Sequence, residues 1–278
     1  MSSRNDVLIG VNDLPDAVNA GAQLLDVRWR LGEEPGAGYQ RYLAGHLPGA
    51  RFLDLESVLT GALTDPRLGR HPLPSAKQLA AGLGELGIDP EQPIVVYDEP
   101  GSFAAGRAWW VLAWAGLSVW VLDGGLRAWT EADGGLVTGT PAPWAPTTLT
   151  LDTGYLPTLT AAEVADFDGT VMDVRAPERY RGEVEPIDAK AGHIPGAVNR
   201  PVAGFWTEAG TMPSADKLDE LLQLPADRPV AVYCGSGVSA AQVVLALASL
   251  GIEAALYAPS WSGWSADASR PVATGDAL

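Results

Sequence analysis

Two segments repeated at a fixed interval constrain this chain more than anything else in it. "LLDVRW" at residues 24–29 returns as "VMDVRA" at 171–176, and "AGHLPGA" at 44–50 returns as "AGHIPGA" at 191–197. Asp26 and Asp173, like His46 and His193, are 147 positions apart. Further on, "IVVYDE" from Ile94 matches "VAVYCG" from Val230 with an offset of 136, and Gly116 and Trp129 match Gly251 and Trp264 with an offset of 135. Self-similarity at this spacing means one folding unit used twice, and 278 residues leave each copy enough chain for its own core.

Within each copy, β-branched runs (94–97, 230–233) alternate with stretches of helical periodicity (75–86, 214–222). That alternation predicts an α/β fold: two tandem units, each an open parallel sheet flanked by helices. The segment 139–160, "GTPAPWAPTTLTLDTGYLPTLT", is rich in Pro and Thr and lacks helical periodicity, so it reads as the connection. The expected boundaries are 1–139, a linker over 140–157, and 158–278.

Charge and cysteine usage narrow the partners. Eighteen Lys plus Arg against 34 Asp plus Glu give a net charge of −16, which repels a phosphate backbone and argues against nucleic acid. No apolar run approaches the ~20 residues of a membrane span, and "MSSRNDVLIGVNDLPD" lacks a signal-peptide core, so no membrane association and a cytoplasmic location are expected. A single cysteine, Cys234, excludes an internal disulfide, a Cys-x-x-Cys redox pair and a multi-thiolate zinc site, and no metal is expected.

The two copies differ where that cysteine stands. Asp98 occupies the place of Cys234, and the distance to the matching glycine is 18 steps from Asp98 but 17 from Cys234, so the first loop is one residue longer. In "CGSGVSAA" every residue after the cysteine is small or β-branched, between a predicted strand and a predicted helix. Backbone N–H groups of Gly235, Gly237, Val238 and Ser239 then face a common centre at a helix N-terminus, with Ser236 and Ser239 adding hydroxyls; such a nest favours a thiolate or a charged sulfur adduct. A buried structural cysteine is the bland alternative. A phosphatase-like loop would need an arginine six positions after the cysteine, where Ala240 stands, and a papain-like hydrolase would need a histidine beside it, for which His71 is available.

Taken together, the paired "DVR…GHIPGA" segments, the change from Asp98 to Cys234 and "CGSGV" followed by a serine resemble the tandem-domain rhodanese sulfurtransferases over essentially the whole chain. The resemblance implies an inactive N-terminal domain and a catalytic C-terminal one, with Cys234 holding sulfur as a persulfide. It also implies a small anionic donor (thiosulfate or 3-mercaptopyruvate), a thiol or cyanide acceptor, the thiol being a small molecule or a thioredoxin-like protein, and no cofactor beyond the covalent sulfur. A persulfide-carrying or redox-sensing module without turnover is the competing reading.

The same resemblance assigns Arg179, with Arg181 beside it, to the donor's anionic group, and a triad of Glu56 (or Asp54), His71 and Ser236. His46, His193 and the pairs Asp26–Arg28 and Asp173–Arg175 occur in both copies and read as structural. Trp29 and Phe103 match an apolar wall facing the cysteine. Ile187 stands where mercaptopyruvate enzymes of the family carry a second arginine, and the loop lacks the Arg and Lys of thiosulfate enzymes, so the donor stays open. Weak mercaptopyruvate binding, improved by Ile187→Arg, is the expectation. "YAPSWSGW" departs from the family at Pro259, where glycine is usual.

Overall fold

The computed structural model describes residues 3–225 and 228–276. The first unit contains β1 (Leu8–Ile9), β2 (Gln23–Asp26), β3 (Arg51–Phe52), β4 (Ile94–Tyr97) and β5 (Val119–Leu122), all parallel, in the order β1-β5-β4-β2-β3. The second contains β6 (Thr170–Asp173), β7 (Val198–Asn199), β8 (Val230–Tyr233) and β9 (Ala254–Leu256), also parallel, ordered β7-β6-β8-β9. A lone parallel bridge between Thr158 and Leu256 takes the place of β1 in the second unit. Asp26 pairs with Tyr97 and Asp173 with Tyr233, so the duplication holds at the level of register.

The predicted helices form as Ala76–Glu85 and Ala215–Leu222. Each starts on a serine, Ser75 or Ser214, whose hydroxyl accepts an N–H of the first turn. Two others, Ala104–Trp114 and Val238–Ser249, are apolar nearly all round and pack on each other between the sheets. A helix without a polar face must be covered on every side, and here each unit covers the other's. One apolar cluster accordingly runs from Leu25 and Val96 through Trp110 and Val243 to Met172 and Val232, while a smaller cluster fills the outer face of each sheet.

The repeated polar residues build one scaffold twice. Asp26 is bonded to the Arg28 guanidinium, which also donates to the Gly45 carbonyl; Asp173, Arg175 and Gly192 repeat the set. His46 stacks on Tyr42 with Nδ1 2.8 Å from that residue's carbonyl oxygen, and His193 does the same on Tyr180 at 2.8 Å. Tyr97 and Tyr233 each accept the N–H that follows the histidine, from Leu47 and Ile194. The connection has no helix or strand between Gly139 and Tyr155. It lies along the first unit, with Thr147 bonded to Gly84 and Trp144 under the Arg51 guanidinium at 4.0 Å.

Candidate active site

Cys234 follows the carboxyl end of β8, where parallel sheets leave a crevice. Gly237 has φ of +83°, and a β-carbon there would sit 2.6 Å from the Ala258 carbonyl oxygen, so the turn into the helix requires glycine. That turn aims the Gly237 N–H at Cys234 Sγ, 3.1 Å away. The loop is pinned from beneath by the helix Ser260–Ala266: Trp261 and Ser262 donate N–H groups to the carbonyls of Cys234 and Gly235, both at 2.9 Å. Ser260 Oγ accepts the Cys234 N–H at 3.2 Å and lies 4.0 Å from Sγ. Pro259 is accommodated by Ser260, which takes φ of +54° in its wake.

The first unit reaches this loop through His71. Nδ1 of His71 is 2.8 Å from Ser236 Oγ and Nε2 is 3.3 Å from Glu56 Oε1, a carboxylate that also accepts the Trp29 indole N–H at 2.8 Å. Asp54 is committed elsewhere, accepting the N–H and hydroxyl of Ser57, so Glu56 is the acid that meets His71. Burial pushes the imidazole below its ordinary pKa, aided by Arg107 and Arg70 and opposed by Glu56. His71 is therefore neutral near pH 7. An Nε2–H facing Glu56 leaves Nδ1 to accept the Ser236 hydroxyl.

A cleft of about 410 Å³ opens above Cys234 between the units. Gly235, Ser236, Val238 and Ser239 line its floor; Trp29 and Phe103, with Val174 and Val202, form an apolar wall. Arg179 reaches it, held by Glu185 at 2.7 Å and Asp188 at 3.1 Å. Arg181 does not. It pairs with Glu183 at 2.7 Å and is not among the residues that line the cleft, where the donor site was expected. Arg179 lies in the last turn of the helix Pro177–Tyr180 and Arg181 caps it; two residues apart on a helix point to opposite sides. Ile187 is 46% exposed and is not among the cleft residues, so its side chain stands apart from the donor path.

Three residues that sequence reasoning left unassigned belong to this site. Arg70 lines the cleft from the first unit and is ion-paired with Asp188. Ser260 holds the cysteine backbone, as above. Arg107, fully buried, donates to the carbonyls of His71 (3.0 Å), Leu59 and Pro72 (both 3.3 Å) and meets no carboxylate among the described residues. Burial draws its guanidinium down to about 10, and its charge interaction with Cys234 opposes that pull. In "RAWW" a charge inside an apolar helix was the available signal.

The matching place in the first unit holds a carboxyl group. Asp98 Oδ2 accepts the Ala105 N–H at 3.0 Å, at the start of the helix Ala104–Trp114, and burial raises its carboxyl to about 7 against the hydrogen bonds of Ala105 and Ser102. Among the described residues no helix is long and apolar enough to cross a membrane, and no three His, Cys, Asp or Glu gather as metal ligands would.

Comparison with known proteins matches residues 11–132 and 157–267 to the model of the Rhodanese-like domain. SseB of Mycobacterium tuberculosis is 45% identical over the whole of both chains. The thiosulfate sulfurtransferase of Gallus gallus is 33% identical over 89% of this chain and 87% of its own. Among solved structures, SseA from Escherichia coli, described with the 3-mercaptopyruvate enzymes, superposes with a TM-score of 0.81 at 32% identity, covering 91% of this chain and 98% of that one.

Proposed function

The chain belongs to the rhodanese family as a tandem-domain member, and from that membership we propose that Cys234 carries sulfane sulfur as a persulfide from a small anionic donor to a thiol or cyanide. As an enzyme it is a sulfurtransferase of the thiosulfate/3-mercaptopyruvate class. The observation that supports the persulfide is the orientation of Gly237 N–H onto Sγ at 3.1 Å, in a buried loop that faces Arg107. Those groups stabilise negative sulfur before and after transfer without reorganising.

With thiosulfate, the Cys234 thiolate attacks the outer sulfur; the S–S bond breaks and its electron pair leaves with sulfite. With mercaptopyruvate, the thiolate attacks the thiol sulfur; the C–S pair passes to carbon as pyruvate enolate, which takes up the proton lost by the thiol. In this reading Ser236, polarised by neutral His71, relays that proton; their 2.8 Å contact supports it. In the second half-reaction a thiolate or cyanide attacks the terminal sulfur and the original thiolate is released. Sulfur rides on Cys234 throughout, and these steps draw on no other cofactor. The thiol acceptor is a small molecule or a thioredoxin-like protein; a cytoplasmic, reducing location suits the single unpaired thiol. Net charge of −16 disfavours nucleic acid. The relatives' names favour turnover over a persulfide-sensing module.

Incubation with either donor is expected to add ~32 Da, the mass of one sulfur, at Cys234, removable by cyanide or a thiol. Cys234→Ser, nearly isosteric but a far poorer nucleophile, is expected to fold and to lose both the adduct and turnover. Sulfur on another residue, or more than about a tenth of wild-type turnover in the serine variant, would place the chemistry elsewhere.

A further inference from the structure

Among the described residues, four arginines line the cleft over Cys234, and each is ion-paired: Arg30 with Glu99, Arg70 with Asp188, Arg175 with Asp173 and Arg179 with Glu185. Arg107 differs from all of them. It is fully buried on the helix Ala104–Trp114, is not among the cleft residues, and has neutral carbonyl oxygens for acceptors. Nη2 donates to His71, Leu59 and Pro72, Nη1 reaches Gly237 at 3.5 Å, and Nε has no acceptor among the described residues. Gly237 is the residue whose N–H bears on Cys234 Sγ at 3.1 Å. A β-carbon there would lie 3.2 Å from Arg107 Nη1, so the guanidinium packs against the very turn that holds the sulfur. Carbonyl dipoles ease the burial of a guanidinium but do not cancel its charge, and a buried cation without a counter-ion is unfavourable. From residue 235 to 249 the loop and its helix carry no ionisable side chain, which leaves the Cys234 sulfur as the group there able to turn negative. The interaction with Cys234 is also what favours the charged form of Arg107.

We propose that Arg107 is a positioning residue for the nucleophile: a fixed counter-charge, supplied by the unit that lacks the cysteine, that holds Cys234 as a thiolate from within the protein. The inference deepens the reading of Cys234 as a sulfur carrier and rests on it. Ionisation moves the thiol proton to solvent and changes no other bond. Once sulfur is loaded, the negative charge stands one atom further out, on the terminal sulfur, and Arg107, buried away from the cleft, neither follows it nor touches the donor. Its effect therefore falls on the empty, attacking form of the enzyme. The remaining titratable groups beside the loop do not compete for this role: His71 is neutral and reaches the loop through Ser236, and burial pushes the Tyr257 phenol up. Because the carbonyls of residues 59, 71 and 72 aim Arg107 and all belong to the first unit, ionisation of the nucleophile depends on how the two units dock.

The test follows alkylation of Cys234, the single thiol, by iodoacetamide; the reagent is neutral, so the cleft arginines do not steer it, and no sulfur donor is needed. In Arg107→Met the rate at pH 7 is expected to fall about tenfold or more, the effect of one nearby opposite charge on an ionisation, and to come within about threefold of wild type at pH 10, where a thiol ionises unaided. Donor kcat/KM at pH 7 is expected to fall in parallel. A rate lowered equally at both pH values would mean a distorted loop and would overturn the proposal. So would a rate at pH 7 equal to that of wild type. If Arg107→Met does not fold, the wild-type protein decides: its ultraviolet absorbance at pH 7, taken as a difference from Cys234→Ser, is expected to contain the thiolate band, and absence of that band would overturn the proposal as well. Absence of sulfur transfer from either donor, with alkylation of Arg107→Met still slowed at pH 7 and restored at pH 10, would sink the sulfurtransferase reading while leaving the counter-charge standing.

Discussion

At the scale of single residues, His71 gives the most direct check on how the two domains share the site. Burial holds its imidazole neutral, so its folded pKa lies below the ordinary value of about 6.5. The unfolded chain therefore takes up a proton at pH values where the folded one does not, and the contribution of His71 to stability is present above about pH 6.5 and lost as the pH falls below it. Comparing wild type with His71→Gln, the melting temperature of wild type is expected to drop relative to the variant as the pH is lowered from 7 to 5. Melting curves in which wild type instead gains on acidification would show a charged imidazole paired with Glu56. The partners of this histidine were suggested by resemblance alone, whereas Arg70, one position before it, was passed over. A lone arginine in a loop has no periodicity to reveal its aim. What fixes that aim is Asp188, a residue 118 positions away in sequence.

At the scale of elements, the packing of Ala104–Trp114 on Val238–Ser249 decides whether the cleft keeps its shape. At Gly106 the helices pack tightly: a β-carbon there would lie 2.7 Å from the Gln242 Cα, and backbone cannot move aside as a side-chain tip can. Gly106→Val is expected to cost ~1–3 kcal/mol by overpacking, or roughly 2–10 °C in melting temperature. It should also lower kcat/KM, because displacement of the first helix moves Arg107, which holds the His71 carbonyl, and so disturbs the contact of His71 with Ser236. A variant as stable and active as wild type would show that the contact yields freely. Much at this scale was legible beforehand. Ser75 and Ser214 announced helix starts, the runs at 94–97 and 230–233 announced strands, and the glycines of "CGSG" announced a turn. The close approach at Gly106 was not, since glycine inside a helical pattern says nothing of which other helix crosses it. Arg179 and Arg181 show the same limit on a smaller span: both are charged and only one residue separates them, and the helix phase alone distinguishes the one facing the cleft from the one facing Glu183.

At the scale of the whole molecule, one continuous apolar cluster joins the sheets through those two helices, so the larger part of the core is shared and only the smaller outer clusters belong to one unit alone. Chemical denaturation followed by tryptophan fluorescence and by far-ultraviolet circular dichroism is expected to give coincident, single transitions, although the duplication suggests two independent domains. Two resolved transitions would mean that each unit survives without the other. Duplication was readable from the offset of 147, but not this interdependence, because a repeat specifies what is copied and not how the copies dock. Arg70, His71 and Glu56 all belong to the unit that lacks a nucleophile, and this has an evolutionary consequence. A crossover within residues 139–160 between two such chains would join the cysteine loop and Arg179 of one parent to the Arg70, His71 and Glu56 of the other. The site would then be inherited from both parents at once, and the half without a nucleophile could diversify only as far as its His71 still meets Ser236 of the other.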